Sequence, residues 1–378
     1  MKRILVLFLI ISVLLTYGCS MPIENYNMVL IFGIDKDEKT GGYEVTLQMP
    51  KMAGGKEEGT SLGNETFTVS GVGRSIELAV KDAYVKSSKV PFLGHIQVVL
   101  IGEDIGREGI VEMADLFKRD PKYTLTPWLF TVDGRAKDLM EAKLEYDVLP
   151  AFAIIHTVRD VSRYTIKFYA VQFNKFLEGI EALPHATLMG RIKLVEDGDN
   201  KLLEISGASI YKDGKLVGML NAQDAAGYNW LTGRFKNADA AISYKGQPMN
   251  VGIEGGTTNI WPIVRGNTLV YKVVTEATGY VQWASSYPDF ESDPELIEEL
   301  NAATGERIKK LISDTVKDAQ DQGIDYLGFE KILEHKDPVL WEQIKDDWDE
   351  VFPNIELEIH TDVTIKNTGW ILNNPELY

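Results

Sequence analysis

The chain contains a single cysteine, Cys19, among its 378 residues. A lone cysteine cannot form an intramolecular disulfide, so buried apolar area must stabilise the folded protein. Hydrophobic residues make up 44% of the chain, and a chain of this length can bury enough of them for two or three domains. The composition therefore excludes a small disulfide-stabilised fold.

Positive charge is scarce. The sequence has 39 Lys and Arg residues against 56 Asp and Glu, which gives a net charge of -17. Proteins bind nucleic acids and anionic lipid head groups mainly through Lys and Arg. The sequence therefore predicts no nucleic-acid partner and no general attraction between this surface and a membrane.

Long apolar runs are missing except at the start of the chain. Residues 4–15 are almost entirely apolar and follow the basic residues Lys2 and Arg3. A run of about a dozen residues is too short to cross a bilayer, which needs about 20, but it matches the core of a signal peptide. The leader ends at Cys19 and resembles a lipobox, although Thr16 stands where that pattern usually has a branched aliphatic residue.

Cys19 is therefore the predicted lipid attachment site. We expect residues 1–18 to be removed as a signal peptide and a covalent diacylglycerol on Cys19 to hold the mature chain at a membrane, since two acyl chains suffice for stable anchoring. The alternatives are an ordinary signal peptide followed by an unused cysteine, and an uncleaved anchor. The first is disfavoured because exported proteins rarely keep one unpaired thiol without a use.

Motifs that would support catalysis or metal binding are absent. Nucleophilic catalysis lacks both a Gly-x-Ser-x-Gly elbow and a spare cysteine. No histidine has a second ligand at zinc-motif spacing; the five are His95, His156, His185, His335 and His360. The sequence thus predicts no enzyme activity, no catalytic or metal-ligating residue, and no cofactor besides the lipid.

Two short motifs are better interpreted as turns. Gly71-Val72-Gly73 opens like a dinucleotide fingerprint, but Ile76 occupies the place of its third glycine. Asp35 and Asp37 resemble the start of a calcium loop that lacks its glycine and its closing glutamate.

Hydrophobic periodicity predicts an α+β protein with three segments. Residues 19–190 mix strands with helices, including a helix over 161–183. Residues 191–265 form a β-rich middle domain, in which an Asp-Gly turn joins the hairpin strands 205–211 and 216–220. Residues 266–378 give a strand, a long helix that ends at Gly323, a shorter helix with Trp341 and Trp348 on one face, and a last strand.

Aromatic residues crowd the middle segment and its exit. Trp and Tyr in such numbers indicate either core or an interface, and core is the more common use. The residues concerned are Trp230, Trp261, Trp283, Tyr228, Tyr271, Tyr280 and Tyr287.

Several short motifs, in their order and spacing, resemble one family. They are the lipobox-like leader, Phe32-Gly33-Ile34-Asp35, Gly94-His95, Gly102-Glu103, Gly109, Arg119, the hairpin over 207–220, Gln320, Asp325, Gly328-Phe329, Trp341, Trp348 and Phe352. The pattern covers essentially the whole chain and resembles the Ger(x)C lipoproteins. These proteins are the C subunits of nutrient germinant receptors in endospore-forming bacteria.

The resemblance implies three domains, each a mixed or antiparallel β-sheet with flanking helices. It also implies two integral membrane partners, the A and B receptor subunits, and a place on the outer face of the spore inner membrane with a monomeric soluble part. No catalytic site or cofactor is implied. The second interpretation is a lipoprotein that captures a nutrient itself, and the third is an extracellular hydrolase.

Overall fold

The computed structural model describes residues 25–52, 62–144, 149–182, 186–198, 200–235, 237–266, 268–284 and 294–367. Helices and sheets alternate along these ranges, which confirms the predicted α+β fold class. The predicted signal peptide and most of the loop between the third and fourth strands lie outside the described residues.

The strands are β1 (Tyr26–Met28), β2 (Ile31–Lys36), β3 (Tyr43–Met52), β4 (Leu62–Gly73), β5 (Val90–Phe92), β6 (Val98–Gly102), β7 (Trp128–Val132), β8 (Val171–Gln172), β9 (Thr187–Asp197), β10 (Asn200–Lys212), β11 (Lys215–Leu220), β12 (Ala238–Tyr244), β13 (Gln247–Arg265), β14 (Thr268–Ala284) and β15 (Glu356–Asn367). The helices are α1 (Ile76–Lys86), α2 (Glu103–Glu108), α3 (Val111–Arg119), α4 (Ala136–Glu141), α5 (Pro150–Arg159), α6 (Phe173–Ala182), α7 (Ala222–Leu231), α8 (Pro294–Gln322), α9 (Phe329–Lys336), α10 (Pro338–Ile344) and α11 (Trp348–Val351).

A mixed nine-stranded sheet dominates the first part of the described chain. Its order is β11-β10-β9-β7-β6-β2-β3-β4, and β8 pairs beside β7. The central strands β2, β6, β7 and β9 run parallel, as their apolar sequences predict for strands covered on both faces. Helices α1, α3 and α6 cover one face, and α4 and α5 cover the other.

A four-stranded sheet of order β12-β13-β14-β15 forms the second part. The long helix α8 packs on it through a buried stripe that includes Leu300, Ile308 and Ile312. Gly323 follows the helix with a φ of 64°, a left-handed conformation that glycine adopts without strain. The predicted long helix, its end and the last strand are thereby confirmed.

Two expectations differ from the structure. Residues 161–183 do not form one helix, because the backbone of Phe168 and Tyr169 pairs with Gly207. Only a 3-10 turn over Val161–Arg163 and the helix α6 remain helical among the described residues. The segment 191–265 carries no sheet of its own within the described ranges: β9, β10 and β11 complete the nine-stranded sheet, and β12 and β13 belong to the four-stranded sheet. Strand periodicity identifies a strand but not its neighbour. The predicted domain boundaries stay a prediction.

Helix α7 connects the two sheets. Its residues from Ala225 to Leu231 are all buried, as expected for a helix with protein on every side. Gly227 allows α7 to approach α8 closely, since a Cβ atom there would lie 2.0 Å from Thr315 Oγ1 and 2.4 Å from the Leu311 carbonyl oxygen.

Candidate functional site

Cys19, the one site residue that the sequence predicts, lies outside the described residues, and its lipidation stays a prediction. Across the described ranges, no group of three or more His, Cys, Asp or Glu side chains is placed to hold a metal ion. No helix in this part of the chain combines the length and apolar character of a membrane span. Concave surfaces and open strand edges are the other features that can form a site.

The most prominent concave surface is a cleft between the two sheets. One cavity of about 500 Å³ lies among β9, α7, β13 and α9, and a second of about 740 Å³ lies among β8, α6, α7 and α9. Thr187, Tyr228 and Lys331 line both, so the two cavities adjoin. We call the pair the intersheet cleft.

Aromatic rings and an arginine form one wall of the intersheet cleft. Tyr169 and Tyr228 meet edge to face with ring centroids 5.6 Å apart. The guanidinium carbon of Arg234 lies 5.0 Å from the centre of the Tyr169 ring, within cation–π range. Burial raises the pKa of Tyr228 above its usual value.

Hydrogen bonds fix this wall in place. The side-chain amide of Asn229 in α7 donates to the carbonyl oxygens of Ile166 and Phe168, at 2.9 and 3.0 Å. The backbone N–H of Tyr169 donates to the carbonyl of Gly207, where β10 bulges with a φ of 71°. Helix α7 and the bulge of β10 therefore hold Tyr169 against Arg234.

The intersheet cleft is locally cationic although the chain is acidic. Arg234, Lys331 and Lys336 have no carboxylate partner among the described residues. Lys175 is paired with Glu178 at 2.7 Å, and Glu178 is the only acidic residue among the described residues that line the two cavities. This arrangement favours a ligand or protein segment that carries a carboxylate, because an unpaired arginine binds carboxylates through a bidentate fork.

An open strand edge borders the same cleft. Strand β12 pairs with β13 only as far as Ile253, so residues 254–265 of β13 have a neighbouring strand on one side alone within the described structure. Asn259 and Ile260 line the cleft, and Trp261 and Val264 are 39% and 53% exposed. An exposed edge with apolar side chains can accept an added strand from another protein.

The remaining aromatic residues divide between core and surface. Trp230, Tyr228 and Tyr271 are buried, whereas Trp261 and Trp283 are exposed. Tyr287 lies outside the described residues. The three buried residues belong to the core, as the sequence favoured, whereas the two exposed tryptophans are available for contacts.

The motif residues at the N-terminal end have structural tasks. The two oxygens of buried Asp35 accept hydrogen bonds from the backbone N–H groups of Ala136 and Lys137, at 2.7 and 2.8 Å, and so cap α4. Gly102 leaves room for this carboxylate, since a Cβ atom there would lie 2.2 Å from Asp35 Oδ1. Burial raises the pKa of Asp35, and the two N–H bonds oppose that rise.

The C-terminal motif repeats this device. Asp325, which is 3% exposed, accepts backbone hydrogen bonds from Gly328, Phe329 and Glu330 at 2.9 to 3.1 Å and so caps α9. Gly328 adopts a φ of 78° at the turn before the helix. Helix α9, which carries Lys331 and Lys336 to the intersheet cleft, is therefore oriented by a buried carboxylate.

A second buried carboxylate lies in the first turn of α9. Glu330 is 2% exposed, and burial together with the nearby negative charge of Asp325 raises its pKa to about 8. It faces no cavity described above. We therefore interpret Glu330 as a titratable part of the core and not as a catalytic acid.

Sequence reasoning missed the intersheet cleft and the open edge of β13. The cleft is assembled from residues far apart in the chain, from Tyr169 through Arg234 to Lys331, with no local spacing to connect them. The open edge follows from the length of β13, 19 residues against about 5 or 6 for an average strand. Gly255-Gly256 interrupts the sequence pattern of this strand, so its length could not be predicted.

Comparison with known proteins covers nearly the whole chain. The family described as "Spore germination protein N-terminal domain" matches residues 20–194, and the family described as "Spore germination B3/ GerAC like, C-terminal" matches residues 206–369. Spore germination protein KC of Bacillus subtilis is 24% identical over 99% of this chain and 97% of its own length. Spore germination protein YndF of the same organism is 24% identical over 98% of both chains.

A solved structure has the same fold. The crystal structure of the GerBC protein covers 89% of this chain and 97% of its own, with a TM-score of 0.56 and 20% sequence identity. The matched fold and the two family matches together span both sheets and the intersheet cleft. The chain belongs to the GerAC-like family of spore germination proteins.

Proposed function

We propose that the chain is the lipid-anchored accessory subunit of a spore nutrient germinant receptor and that it works through protein contacts. Membership of the GerAC-like family supports a C-type receptor subunit. The observation that carries the contact mechanism is the open edge of β13 beside the intersheet cleft. Such an edge offers backbone hydrogen bonds to a partner strand, and the neighbouring cations offer charge complementarity.

In this proposal Cys19 carries the diacylglycerol, and the protein resides on the outer face of the spore inner membrane. Its partners are the two integral membrane subunits, A and B, of the receptor. A standard interface of about 800 Å² per partner gives specificity without chemistry. No enzyme activity is assigned.

Site-specific photocrosslinking in spore membranes tests the contact surface. A photoreactive residue in place of Trp261, on the exposed part of β13, is expected to crosslink to a membrane subunit. The matched control is Val339, which is 68% exposed on α10. Equal crosslinking from both positions, or crosslinking from Val339 alone, would contradict docking at β13.

A charge introduced on the open edge of β13 tests how much this contact contributes to binding of the membrane subunits. Trp261→Lys is expected to weaken copurification with the membrane subunits, since a lysine on an edge strand opposes strand addition. Val339→Lys should leave copurification unchanged. Both variants should melt at the wild-type temperature because both side chains are exposed, which separates lost assembly from lost folding.

Direct nutrient capture is the second candidate. The intersheet cleft favours it through Arg234 and Lys331, which could hold the carboxylate of an amino acid. Calorimetry of the mature chain with amino acids and sugars decides between the two. A micromolar or tighter dissociation constant that Arg234→Ala abolishes would establish direct sensing, and the absence of heat would support action through protein contacts.

A further inference from the structure

A small apolar and basic surface lies where the described chain begins. Strands β1 and β5 run parallel, with Tyr26 beside Val90, so the described chain begins next to the loop between α1 and β5. Asn27 Nδ2 donates a hydrogen bond to Ser87 Oγ at 3.4 Å across this junction. The site of chain entry is therefore the C-terminal end of α1.

Exposed apolar side chains cluster at this place. Val85 is 82% exposed, Phe92 44% and Val90 39%. The ring of Phe92 meets that of Tyr26 edge to face at 5.8 Å. We call Tyr26, Val85, Lys89, Val90 and Phe92 the α1–β5 face. Clustered exposed apolar residues of this kind mark interaction surfaces.

The charge around the α1–β5 face is opposite to that of the whole chain. Helices α1 and α3 lie side by side. At their N-terminal ends the carboxylate of Glu112 accepts a hydrogen bond from the backbone N–H of Ile76. At their C-terminal ends burial and the negative charge of Asp120 raise the pKa of Tyr84. Residues 81–95 and 118–122 together contain six Lys or Arg and two Asp, a net charge of +4 in a chain of -17.

Some of these cations already have partners. Lys81 pairs with Glu77, Lys86 with Asp82, Arg119 with Asp115 and Lys122 with Asp120, all on the surface. Lys89 has no ion-pair partner among the described residues and is exposed at the edge of the apolar cluster. Exposed pairs are weak, so their cations can exchange partners with external anions.

The distance to the anchor identifies the surface that covers this face. Six residues lie between Cys19 and Tyr26, and the seven Cα–Cα steps that join the two span about 25 Å at most when fully extended. A lipid on Cys19 therefore keeps the α1–β5 face within that distance of a bilayer. Apolar side chains surrounded by lysines fit the interface between acyl chains and anionic head groups.

We propose that the α1–β5 face rests on the surface of an anionic phospholipid bilayer and orients the anchored protein. This inference rests on the lipid anchor of the proposed function. Lipid supplies the affinity, and the face supplies the orientation, because a two-chain anchor alone leaves the protein free to rotate. The acidic remainder of the surface is repelled by the same head groups and is turned away from them.

Fluorescent labels at single introduced cysteines test the orientation. Cys19 is the only natural cysteine and is occupied by lipid, so Val85→Cys or Phe92→Cys creates a unique labelling site. An environment-sensitive label there should gain severalfold emission when the lipidated chain is reconstituted in vesicles of phosphatidylglycerol and phosphatidylcholine. Val339→Cys, also on an exposed valine, should show no gain. The Val85 label should respond less in the Lys89→Glu chain, whereas Lys201→Glu should not alter its response.

A second tether separates this proposal from the lipid assignment. A chain that starts at Ser20 and carries an N-terminal histidine tag can be held on the same vesicles by nickel-chelating lipid. Mass spectrometry that finds no lipid on Cys19, together with a label on the tagged chain that still gains emission on vesicles, would contradict the lipid anchor and support the membrane contact of the α1–β5 face. The membrane contact of the α1–β5 face is contradicted if, on both tethers, labels at Val85 and Phe92 gain no more emission than the label at Val339.

Two other outcomes also overturn the proposal. An equal gain on pure phosphatidylcholine vesicles would remove the assignment to anionic lipid. A gain without vesicles that rises with protein concentration would assign the face to a second copy of the chain.

Discussion

Two aspartates that contribute to the family resemblance act as helix caps. Asp35 caps α4 and Asp325 caps α9, and in each case a nearby glycine makes the arrangement possible, by leaving space at Gly102 and by adopting positive φ at Gly328. Gln320 acts similarly, because its side-chain amide donates to the carbonyls of Phe352 and Ile355 before β15. These motif residues therefore identify the family through architecture and not through chemistry.

The cap formed by Asp35 can be tested against a neighbouring exposed aspartate. Asp35→Ala leaves two buried N–H groups without an acceptor and is expected to lower the free energy of unfolding by about 1 to 3 kcal/mol. Asp37→Ala removes only the exposed turn contacts to Thr40 and should leave the free energy of unfolding nearly unchanged. Urea unfolding followed by circular dichroism measures both, and equal losses would contradict the capping role.

Glu330 should make stability depend on pH. Its pKa is about 8 in the folded protein, against 4.5 for the ordinary value. Between these values the unfolded chain is ionised while the folded chain keeps the proton, so stability falls as pH rises. Over the whole window the loss is on the order of 3 to 5 kcal/mol, and relaxation of the buried site reduces it.

Glu330→Gln should remove this dependence, since glutamine has the same shape and does not titrate. Compared with the wild type, the variant is expected to gain stability steadily between pH 5 and pH 8, as measured by urea unfolding at several pH values. The control is Glu298→Gln, on an exposed residue of α8 that does not act on Glu330. A difference between wild type and Glu330→Gln that stays constant with pH would place the titration elsewhere.

At the scale of elements, helix α7 determines how the two sheets meet. It contacts β10 of the first sheet and packs against α8 of the second part through Gly227. The side chain of Asn229 adds hydrogen bonds to the carbonyls of Ile166 and Phe168, in the segment before β8. Thr258 of β13 adds a hydrogen bond from its hydroxyl to the carbonyl of Trp230, at 2.8 Å. The intersheet cleft exists because α7 holds these elements together.

Gly227→Ala tests this close approach. An added methyl group would overlap the α8 backbone, so we expect a loss of about 1 to 3 kcal/mol despite the better helix propensity of alanine. Gly255→Ala is the control, because a Cβ atom there meets nothing within 4 Å. Thermal unfolding should separate the two variants. A Gly227→Ala protein at least as stable as the wild type would mean that α7 and α8 can move apart freely.

Local sequence patterns predicted helices, strands and turns well, but they predicted poorly which of these elements pack or pair with one another. The turn between β10 and β11 could be predicted, because Asp213 and Gly214 adopt positive φ of 52° and 74° as a tight hairpin requires. The prediction of one helix over 161–183 was wrong, because Tyr169 pairs with Gly207. The local sequence pattern gives no information about so distant a partner. The intersheet cleft could not be predicted for the same reason.

At the scale of the whole molecule, the two cationic regions lie on different halves of the nine-stranded sheet. Helix α1 packs on β4 at one end of the strand order, whereas β9, which lines the intersheet cleft, is five strand steps away. At about 4.8 Å per step this separation is about 24 Å. A lipid-anchored chain lying on its α1–β5 face would therefore keep the cleft accessible to partner subunits.

Loss of the lipid should separate folding from localisation. Cys19→Ala changes a residue that precedes every described element, so the thermal unfolding of the mature chain should be unchanged. Membrane association should be lost, because the charged and weakly apolar α1–β5 face cannot replace two acyl chains on a protein of net charge -17. We expect the variant in the soluble fraction and germination in response to nutrients to be impaired. Fractionation is performed in cells without the two membrane subunits, so that protein contacts cannot retain the chain. Recovery of Cys19→Ala with the membranes of those cells, at the wild-type level, would mean that lipid on Cys19 is not the anchor.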